Sequence, residues 1–471
     1  MRFSIVLSLL VPCLATAQQA WTLDQCVRRA EEKNLNVRNA ALDAELADQA
    51  KRQSAYNLLP NLNAFGTHGY NWGKAIDRFT NTFATDRVRT NNFYLSSQVS
   101  LFEGFSKQNQ LGQARIDAES SAKGLEDRRN DVRLSTVQAF IDVLSLRERI
   151  AATGKQVANI SEQITITQAL VDGGRLARSE VLDQRSQLAQ QEYNLVDLRN
   201  QHDRRILDLM QQLQLSPEEQ RGFDIVSPAI SAMAISEPAQ DPQDVLRAVL
   251  AANPGYQQRE LQATSAEKGV SISRAGMMPS LRLEGAMGTG YSGRNLEAVG
   301  EPVLGTPQLI GFTQGGEEVY TPTFSQETRT RAFGSQLDDN LNESVTLSLA
   351  IPLFNNQSNR IAVSQARIRH EQAKNAVEAE RQSLEREVQQ AITAQRGAYR
   401  QYEAAQRSLE AANESFRLAQ ERFTAGAATS LDLNTARTNV DRATADTITA
   451  KYTYVMAAKY LEILQGLPLS F

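Results

Sequence analysis

Residues 377 to 433 read VEAERQSLEREVQQAITAQRGAYRQYEAAQRSLEAANESFRLAQERFTAGAATSLDL. From Leu384 to Phe423, small or apolar residues recur at alternating steps of four and three, and only Gln395 breaks the series. This heptad spacing predicts a long helix with one continuous packing seam. Gly426 then indicates a turn, because glycine readily adopts the left-handed conformation that ends a helix. The stretch therefore predicts a long helix, a tight turn and the start of a returning helix.

The same seam occurs a second time, 252 residues earlier, between Val132 and Val171. The members of the two seams are Val132, Thr136, Ala139, Val143, Leu146, Ile150, Thr153, Val157, Ile160, Ile164, Thr167, Val171, and Leu384, Val388, Ala391, Gln395, Ala398, Tyr402, Ala405, Leu409, Ala412, Phe416, Ala419, Phe423. Two copies of one long helix are therefore encoded in the 471-residue chain. Helices on the order of 70 residues, at ~1.5 Å per residue, predict an elongated molecule.

A shorter helix is predicted ahead of each copy. The segment Thr22–Leu58 opens with a capping-box pattern and should form one helix. Asp241 and Pro242 are typical of the N-cap and the first helical position of the second short helix. Pro60 and Pro279, which are 219 residues apart, should close the two helices.

Alternating apolar and polar residues follow each proline and recur after a polar loop. We predict strand pairs within about 62–103 and about 280–352, since period-two alternation gives a strand one apolar and one polar face. One such segment is typical of a half-buried sheet, whereas four of them match the weaker signature of transmembrane strands. Four strands do not close a barrel, and lipid does not tolerate an open sheet edge, so a membrane barrel would need several chains.

The loop Ser292–Asn340 is rich in glycine and has about 50 residues, which suits an exposed extracellular loop. Its extra length explains why the repeat offset rises from 219 to 252. Past the helical turns, matching Ser179 with Ser430 gives an offset of 251 and predicts one extra residue in the first turn.

The segment Met1–Ala17 has a basic residue, an apolar run and the small-x-small ending Ala-Thr-Ala, which predicts a secretory signal. The alternative is a lipoprotein signal that ends at Cys13, although Pro12 is an awkward neighbour for a modified cysteine. A mature chain that starts near Gln18 retains one cysteine, Cys26, so no intramolecular disulfide is expected.

Composition and motifs argue against several functions. The formal net charge of −4 does not predict a broad basic surface for nucleic acid. No later stretch has 18 consecutive apolar residues, so no transmembrane helix is predicted. His68, His202 and His370 have no cysteine or carboxylate at metal-ligand spacing. No Walker loop is present, and we expect neither an enzyme nor a cofactor; any energy source must lie in a partner.

In this order, the features resemble the TolC family of outer-membrane factors, the exit ducts of Gram-negative efflux and type I secretion systems. The resemblance covers nearly all of the mature chain. It rests on the duplicated strand pairs, the Leu-Phe junctions at 101 and 353, the Leu-Pro-Asn-Leu62 segment and the turn that ends at Leu433. No single motif is decisive, but the ordered set is specific.

The resemblance implies an α+β membrane protein with an internal two-fold sequence repeat. The implied assembly is a homotrimer with a 12-stranded outer-membrane β-barrel, four strands per chain, that continues into a long periplasmic α-helical barrel. The implied partners are a periplasmic adaptor (a membrane fusion protein), an inner-membrane pump and outer-membrane lipid. The runner-up hypothesis is a periplasmic coiled-coil scaffold or adaptor; an adaptor would normally carry one hairpin, whereas this chain has two.

The expected domains follow the repeat. After the signal, 1–17, the first repeat spans 18–215, a connector spans 216–240 and the second repeat spans 241–471. Each repeat has a short helix, a strand pair and a long helical hairpin, the hairpins lying at about 104–215 and about 355–465.

The resemblance also implies a periplasmic gate. In the family an aspartate lies six residues after the glycine of the second turn, which here is Asp432. Three carboxylates around a narrow axis would attract cations. The alternative is a solvated aspartate that the helix dipole favours. In the first repeat the same count gives Glu180, whereas the repeat alignment gives Val181. The resemblance also implies that the two turns dock onto the adaptor, through Gly174, Arg178, Ser179, Gly426, Thr429 and Ser430. The alternative is that these residues only form the turns.

Overall fold

The computed structural model describes residues 20–84, 87–227, 235–238 and 240–468. The predicted signal and Cys13 lie outside the described residues. The chain forms two units, and each takes segments from both sequence repeats. The helical unit comprises Met1–Gln49, Ile116–Ser265 and Glu371–Phe471, and the sheet unit comprises Ala50–Arg115 and Ala266–His370.

In each repeat the short helices, the two main strands and the long hairpin follow one another in the order that the sequence predicts. The helices are α1 (Leu23–Lys33), α2 (Leu35–Tyr56), α3 (Ser106–Asp172), α4 (Arg178–Gln212), α5 (Pro217–Gln220), α6 (Pro242–Ala252), α7 (Pro254–Ala275), α8 (Phe333–Asp339), α9 (Ser358–Thr424) and α10 (Ser430–Leu464). The strands are β1 (Asn63–Asn71), β2 (Ala75–Ile76), β3 (Phe83–Ala84), β4 (Val88–Glu103), β5 (Ser280–Ser292), β6 (Leu296–Leu304), β7 (Gln308–Phe312), β8 (Glu318–Thr321), β9 (Phe324–Thr330) and β10 (Asn342–Ala350). Among the described residues, no helix combines the length and the apolar character that a membrane crossing requires.

The two long hairpins have the same dimensions. The first hairpin, α3 and α4, has helices of 67 and 35 residues, and the second hairpin, α9 and α10, has helices of the same lengths. Each helix of the second hairpin starts 252 residues after its counterpart. Both turns therefore contain five residues, 173–177 and 425–429, and the predicted extra residue in the first turn is wrong.

Packing explains this correction. Matching identical letters pairs Leu182 with Leu433, but Leu182 is 54% exposed while Val181 and Leu433 are 2% and 1% exposed. The buried position accepts either valine or leucine. Matching identical residues therefore aligns the two repeats wrongly, whereas matching buried positions aligns them correctly. The structural offset of 252 also pairs Glu180, rather than Val181, with Asp432.

Both predicted seams are confirmed. Each of their 24 members is buried or half-buried, and none is exposed. The larger of two clusters of buried apolar residues joins α1, with Cys26 and Ala30, to the first hairpin and to α10, with Phe140 and Val455 among its members. A smaller cluster joins α6 to the second hairpin through Val249. Each fully buried large apolar side chain contributes roughly 1.5–3 kcal/mol, so these clusters anchor the short helices.

The short helices are interrupted, so the prediction of one helix from Thr22 to Leu58 is wrong, although its capping box at Thr22 is confirmed. Asn34 is the C-cap of α1: its N–H makes the last helical bond, to Ala30 O at 2.9 Å, its backbone is extended, and its Oδ1 accepts the Asn36 N–H at 2.9 Å. Asn253 does the same between α6 and α7. An asparagine side chain that bonds the backbone ahead of it competes with continued helix.

The four predicted strands form one antiparallel sheet with the order β1-β4-β5-β10. A β-bulge between Ser100 and Phe102 shifts the β4–β5 register near its end. The long loop after β5 also contains regular structure that its sequence pattern does not predict. Strands β6 and β9 pair, β7 and β8 pair, and α8 follows them.

Candidate functional site: the sheet faces and the helix tips

One face of the four-stranded sheet is apolar. Residues directly opposite each other in the register share a face. The apolar residues of this face are Ala64, Phe93, Leu95, Val99, Phe102, Leu281, Leu283, Met287, Val345, Leu347 and Leu349, and Ser97 and Glu343 lie among them. On β10, Val345, Leu347 and Leu349 are 80%, 61% and 63% exposed in the single chain. An exposed apolar surface of this extent marks a site for lipid or protein.

The opposite face of the sheet is polar. The register places Gln98 beside Glu284 and Glu284 beside Thr346. Arg282 forms an ion pair with Glu103 at 3.3 Å between Nη2 and Oε1. The predicted alternation of apolar and polar faces is therefore confirmed, and the sheet can separate an apolar medium from an aqueous one.

The helix α8 is tied to the end of β5 by a buried amide. Gln336 and Ser292 are both 0% exposed. The Gln336 side chain accepts the Ser292 N–H at 3.0 Å and donates to the carbonyls of Ser292 and Arg331 at 3.1 and 2.8 Å. Ser292 Oγ donates to Asp77, whose carboxylate also accepts the N–H groups of the following turn. These bonds fix both joining loops to one end of the sheet.

The tips of the two hairpins have the same backbone geometry. Gly174 and Gly426 have φ values of 72° and 73°, and both are exposed. Arg175 N–H donates to Leu170 O, and Ala427 N–H donates to Arg422 O, at 2.9 and 2.8 Å. These are Schellman motifs, which satisfy the last helical carbonyls and require a left-handed residue.

Asp432 lies in a capping box at the start of α10. Its Oδ2 accepts the Thr429 N–H at 3.0 Å and the Thr429 hydroxyl at 2.8 Å, and its own N–H donates to Thr429 Oγ1 at 3.2 Å. The hydrogen bonds from Thr429, first that of its backbone and then that of its side chain, lower the pKa of Asp432. The side chain is exposed, so its charge is available beyond the helix.

Glu180 occupies the matching position in α4 but is held differently. The N-cap residue, Ala177, has no side-chain oxygen, so no capping box forms. The Oε2 atom of Glu180 is buried and has no hydrogen-bond partner in the described part of the chain. The two acidic residues are equivalent in sequence position but not in contacts.

The predicted docking residues lie at the two tips, and most of them are exposed. Arg178, Ser179 and Thr429 are exposed, as are both glycines, whereas Ser430 is 6% exposed. The histidines lie apart: His68 contacts Asn91 at 2.5 Å within the sheet, and His202 lies beside Asp203 on α4. Within the described residues, no group of histidine, cysteine and carboxylate side chains has the geometry to hold a metal.

A sheet with one apolar and one polar face, joined in each repeat to a long helical hairpin, defines the class of outer-membrane channel proteins. The family model described as "Outer membrane efflux protein" matches residues 26–213 and 245–467, in both repeats. The chain belongs to the outer membrane efflux protein family. The resemblance to the TolC family and the expected outer-membrane location are thereby confirmed.

Individual relatives are distant. The outer membrane efflux protein BepC of Brucella suis is 22% identical over 264 residues, which cover 56% of this chain and 54% of BepC. The match thus spans about half the length of that curated relative. The CmeC outer membrane channel of Campylobacter jejuni has a TM-score of 0.75 at 15% identity, with 94% of this chain and 85% of CmeC covered. The outer membrane protein VceC of Vibrio cholerae has a TM-score of 0.73 at 13% identity, with 95% and 97% covered. These structures share the fold.

Proposed function

We propose that three copies of the chain form a passive export duct through the outer membrane, as part of a tripartite efflux or type I secretion system. The observation that carries this proposal is the sheet with its apolar face and two unpaired edges. Strands β1 and β10 each have one neighbour in the sheet. An open edge in lipid leaves backbone groups unpaired, at a cost of several kcal/mol for each group. Pairing β10 of one copy with β1 of the next closes a 12-stranded barrel.

The faces of the sheet support the same assembly. In a closed barrel the Leu347 face contacts lipid and the Glu284 face lines a water-filled lumen. The two hairpins of each copy continue as the wall of a periplasmic helical barrel. A lumen lined by serine, threonine and glutamine, with the opposite charges of Arg282 and Glu284 among them, imposes little selectivity, which suits a duct that takes its cargo and its energy from a pump.

We assign the gate to the helix tips. Threefold symmetry brings three Asp432 carboxylates around the axis at the periplasmic end. Within one chain the hydrogen bonds from Thr429 lower the pKa of Asp432, whereas mutual repulsion in a ring of three carboxylates acts in the opposite direction. Glu180 is the weaker candidate, since part of its carboxylate is buried. The adaptor opens the gate by docking at the tips, where Gly174, Arg178, Ser179, Gly426 and Thr429 are exposed; the buried Ser430 shapes the turn.

The assembly is tested by extracting the membranes with a mild detergent and running the protein on gels with and without heating. We expect an unheated band at the trimer mass that shifts to the monomer on heating. Recovery as a soluble monomer would contradict the duct and favour the periplasmic scaffold. For docking, Arg178→Glu should reduce co-purification with the adaptor and leave the trimer intact, whereas the control Arg204→Glu, on the exposed side of the same helix, should not.

A further inference from the structure

The segment between β5 and α8 forms a long two-stranded arm, residues 296–330. Strands β6 and β9 pair with each other, and β7 and β8 continue the pairing up to the turn at 313–317. At ~3.3 Å per residue, the arm has a length of up to about 55 Å. In the described part of the chain, none of these four strands joins the sheet β1-β4-β5-β10.

The arm has no core of its own. A two-stranded ribbon is only marginally stable in water, because no third strand or helix covers either face. Five large apolar side chains of the arm are between 63% and 66% exposed: Val303, Leu304, Ile310, Phe312 and Phe324. An exposed apolar surface of this kind indicates a contact site, so the arm needs a partner that covers it.

The register of the arm defines which apolar residues lie together. Leu304 lies directly opposite Phe324, whereas Val303 lies directly opposite Ser325. Adjacent residues of a strand point to opposite faces, so Leu304 and Phe324 share one face and Val303 lies on the other. The face with Leu304 and Phe324 is therefore the apolar face of the arm.

The arm is also acidic. Residues 298–328 include no lysine or arginine and four carboxylates, at Glu301, Glu317, Glu318 and Glu327. Lipid acyl chains would not accept these charges, because an ionised carboxylate is costly to transfer out of water. The partner of the arm should combine apolar and basic side chains.

The loop between β1 and β4, residues 72–87, has this complementary character. Three of its apolar side chains are 72%, 59% and 63% exposed, in the order Trp72, Ile76, Phe83. Its basic residues Lys74, Arg78 and Arg87 are exposed as well. One of its two aspartates, Asp77, is buried against Ser292, so the charge that the loop presents is mainly positive.

The loop of the same chain does not cover the arm. Trp72 and Phe83 remain exposed in the single chain, as do Leu304 and Phe324. In the proposed barrel β10 pairs with β1 of the next copy, and paired strands lie about 4.8 Å apart. Each arm then lies between the β1–β4 loop of its own chain and that of the next copy.

We propose that the apolar face of each arm packs on the β1–β4 loop of the neighbouring copy, so that three arms clasp the trimer at the end of the barrel away from the helices. This inference rests on the proposed trimeric duct. Leu304 and Phe324 cover the exposed Trp72 and Phe83 of the neighbouring copy. The carboxylates of the arm lie near the basic residues of that loop, which fixes the arm to one partner.

The test is photo-cross-linking of the full-length protein in intact outer membranes. The photoreactive residue p-benzoyl-phenylalanine takes the place of Leu304 in one variant and of Val303 in the matched control. The two positions are adjacent and 65% and 66% exposed, but they lie on opposite faces. Phe324 offers a second position on the apolar face, where one aromatic residue replaces another.

We expect irradiation to link position 304 to a neighbouring copy. Covalent dimers and trimers should survive boiling, and mass spectrometry should map the link to residues 72–87. Position 303 should give these products in much lower yield. Adding Lys74→Glu and Arg78→Glu should lower the yield from position 304 by about threefold or more, because like charges then face each other.

Three results would overturn the clasp. They are cross-links from positions 304 and 324 that stay within one chain, cross-links to lipid or to other segments, and equal yields at 303 and 304. The heat-dependent mobility of the unirradiated protein reports the duct separately. A trimer without the cross-links to 72–87 contradicts the clasp alone, whereas the absence of a trimer contradicts the duct and the clasp together.

Discussion

Gly174 and Gly426 hold equivalent left-handed positions in two turns that are 252 residues apart. Their N–H groups donate to Val171 O at 2.9 Å and Phe423 O at 3.0 Å. A Cβ built on either glycine meets no heavy atom within 4 Å. The glycines are thus required by the backbone conformation and not by a close approach.

This geometry makes Gly426→Ala a test of the turn. A non-glycine residue at positive φ costs about 1 kcal/mol, so the melting temperature of the variant should fall. The control is Gly397→Ala in the interior of α9, where a Cβ also meets nothing within 4 Å. That change should raise stability by roughly 0.5–1 kcal/mol, because alanine favours the helix. Equal effects of the two substitutions would contradict the assigned turn.

Asp432 combines a structural and a proposed electrostatic role, and two substitutions separate them. Asp432→Asn keeps an oxygen for the Thr429 bonds and removes the charge, so cation selectivity in planar bilayers should fall while the melting temperature changes little. Asp432→Ala removes the hydrogen bonds as well as the charge. Because alanine is also smaller, the proposed constriction widens and the single-channel conductance should rise. Unchanged selectivity and conductance in both variants would remove Asp432 from the gate.

Asp441 should make the helical unit more stable in mild acid. Burial raises its pKa from 3.8 to about 6, and the charge of Arg437 opposes this shift. Folding favours the protonated form of Asp441. Its contribution to the free energy of unfolding is therefore complete below pH 3.8 and is lost as the pH rises through about 6. Asp441 lines two cavities of the helical unit, and the other charged groups that line them are Glu148, Arg149, Lys155, Glu162, Asp197, Arg437 and Arg442.

The prediction is measured as the melting temperature of Asp441→Asn between pH 4 and pH 7.5. At pH 7.5 the variant should be more stable by on the order of 1–2 kcal/mol, after allowance for solvent near a half-buried group. The difference should vanish near pH 4. Asp183→Asn, at an exposed position of α4, is the control and should show no such trend. A pH-independent difference would show that charge burial is not the cause.

Gln336 should hold α8 against the end of β5. Gln336→Leu leaves the buried Ser292 N–H without its partner, which costs about 1–3 kcal/mol, while Ser292 O keeps the hydrogen bond from Asn295 N–H. Trypsin should then cleave faster at Arg329 and Arg331, while the trimer persists. Ser335→Ala, on the exposed side of the same helix, is the control. Unchanged cleavage in Gln336→Leu would mean that other contacts fix the loop.

The periodic parts of the fold could be predicted from the sequence. A heptad or alternating pattern records which face of an element is buried. The seams that begin at Val132 and Leu384 and the four strands of the sheet could therefore be predicted. Residue identity was a poorer guide where packing accepts several side chains, which is why matching Ser179 with Ser430 gave the wrong offset. The break at Asn34 depends on one side chain that bonds the backbone, and periodicity does not record it.

The site residues divide in the same way. The tip positions could be predicted because a glycine stop and a count from it are local features. The burial of Arg437 could not, because it depends on packing against Phe416 of the preceding helix, which residue type and periodicity do not record. The ribbons of the long loop, β6 with β9 and β7 with β8, were also missed, since glycine and proline within short strands obscure the alternation.

The central claim is that the Leu347 face of the sheet contacts lipid in a closed trimeric barrel. Its most direct test compares Leu347→Arg with Thr346→Arg, which places the same charge one residue away on the opposite face. A charge on the lipid face costs about 2–4 kcal/mol near the bilayer midplane, whereas the lumen tolerates it. We predict that Thr346→Arg yields a heat-modifiable outer-membrane trimer and that Leu347→Arg does not. Equal recovery of the trimer in both variants would contradict the account.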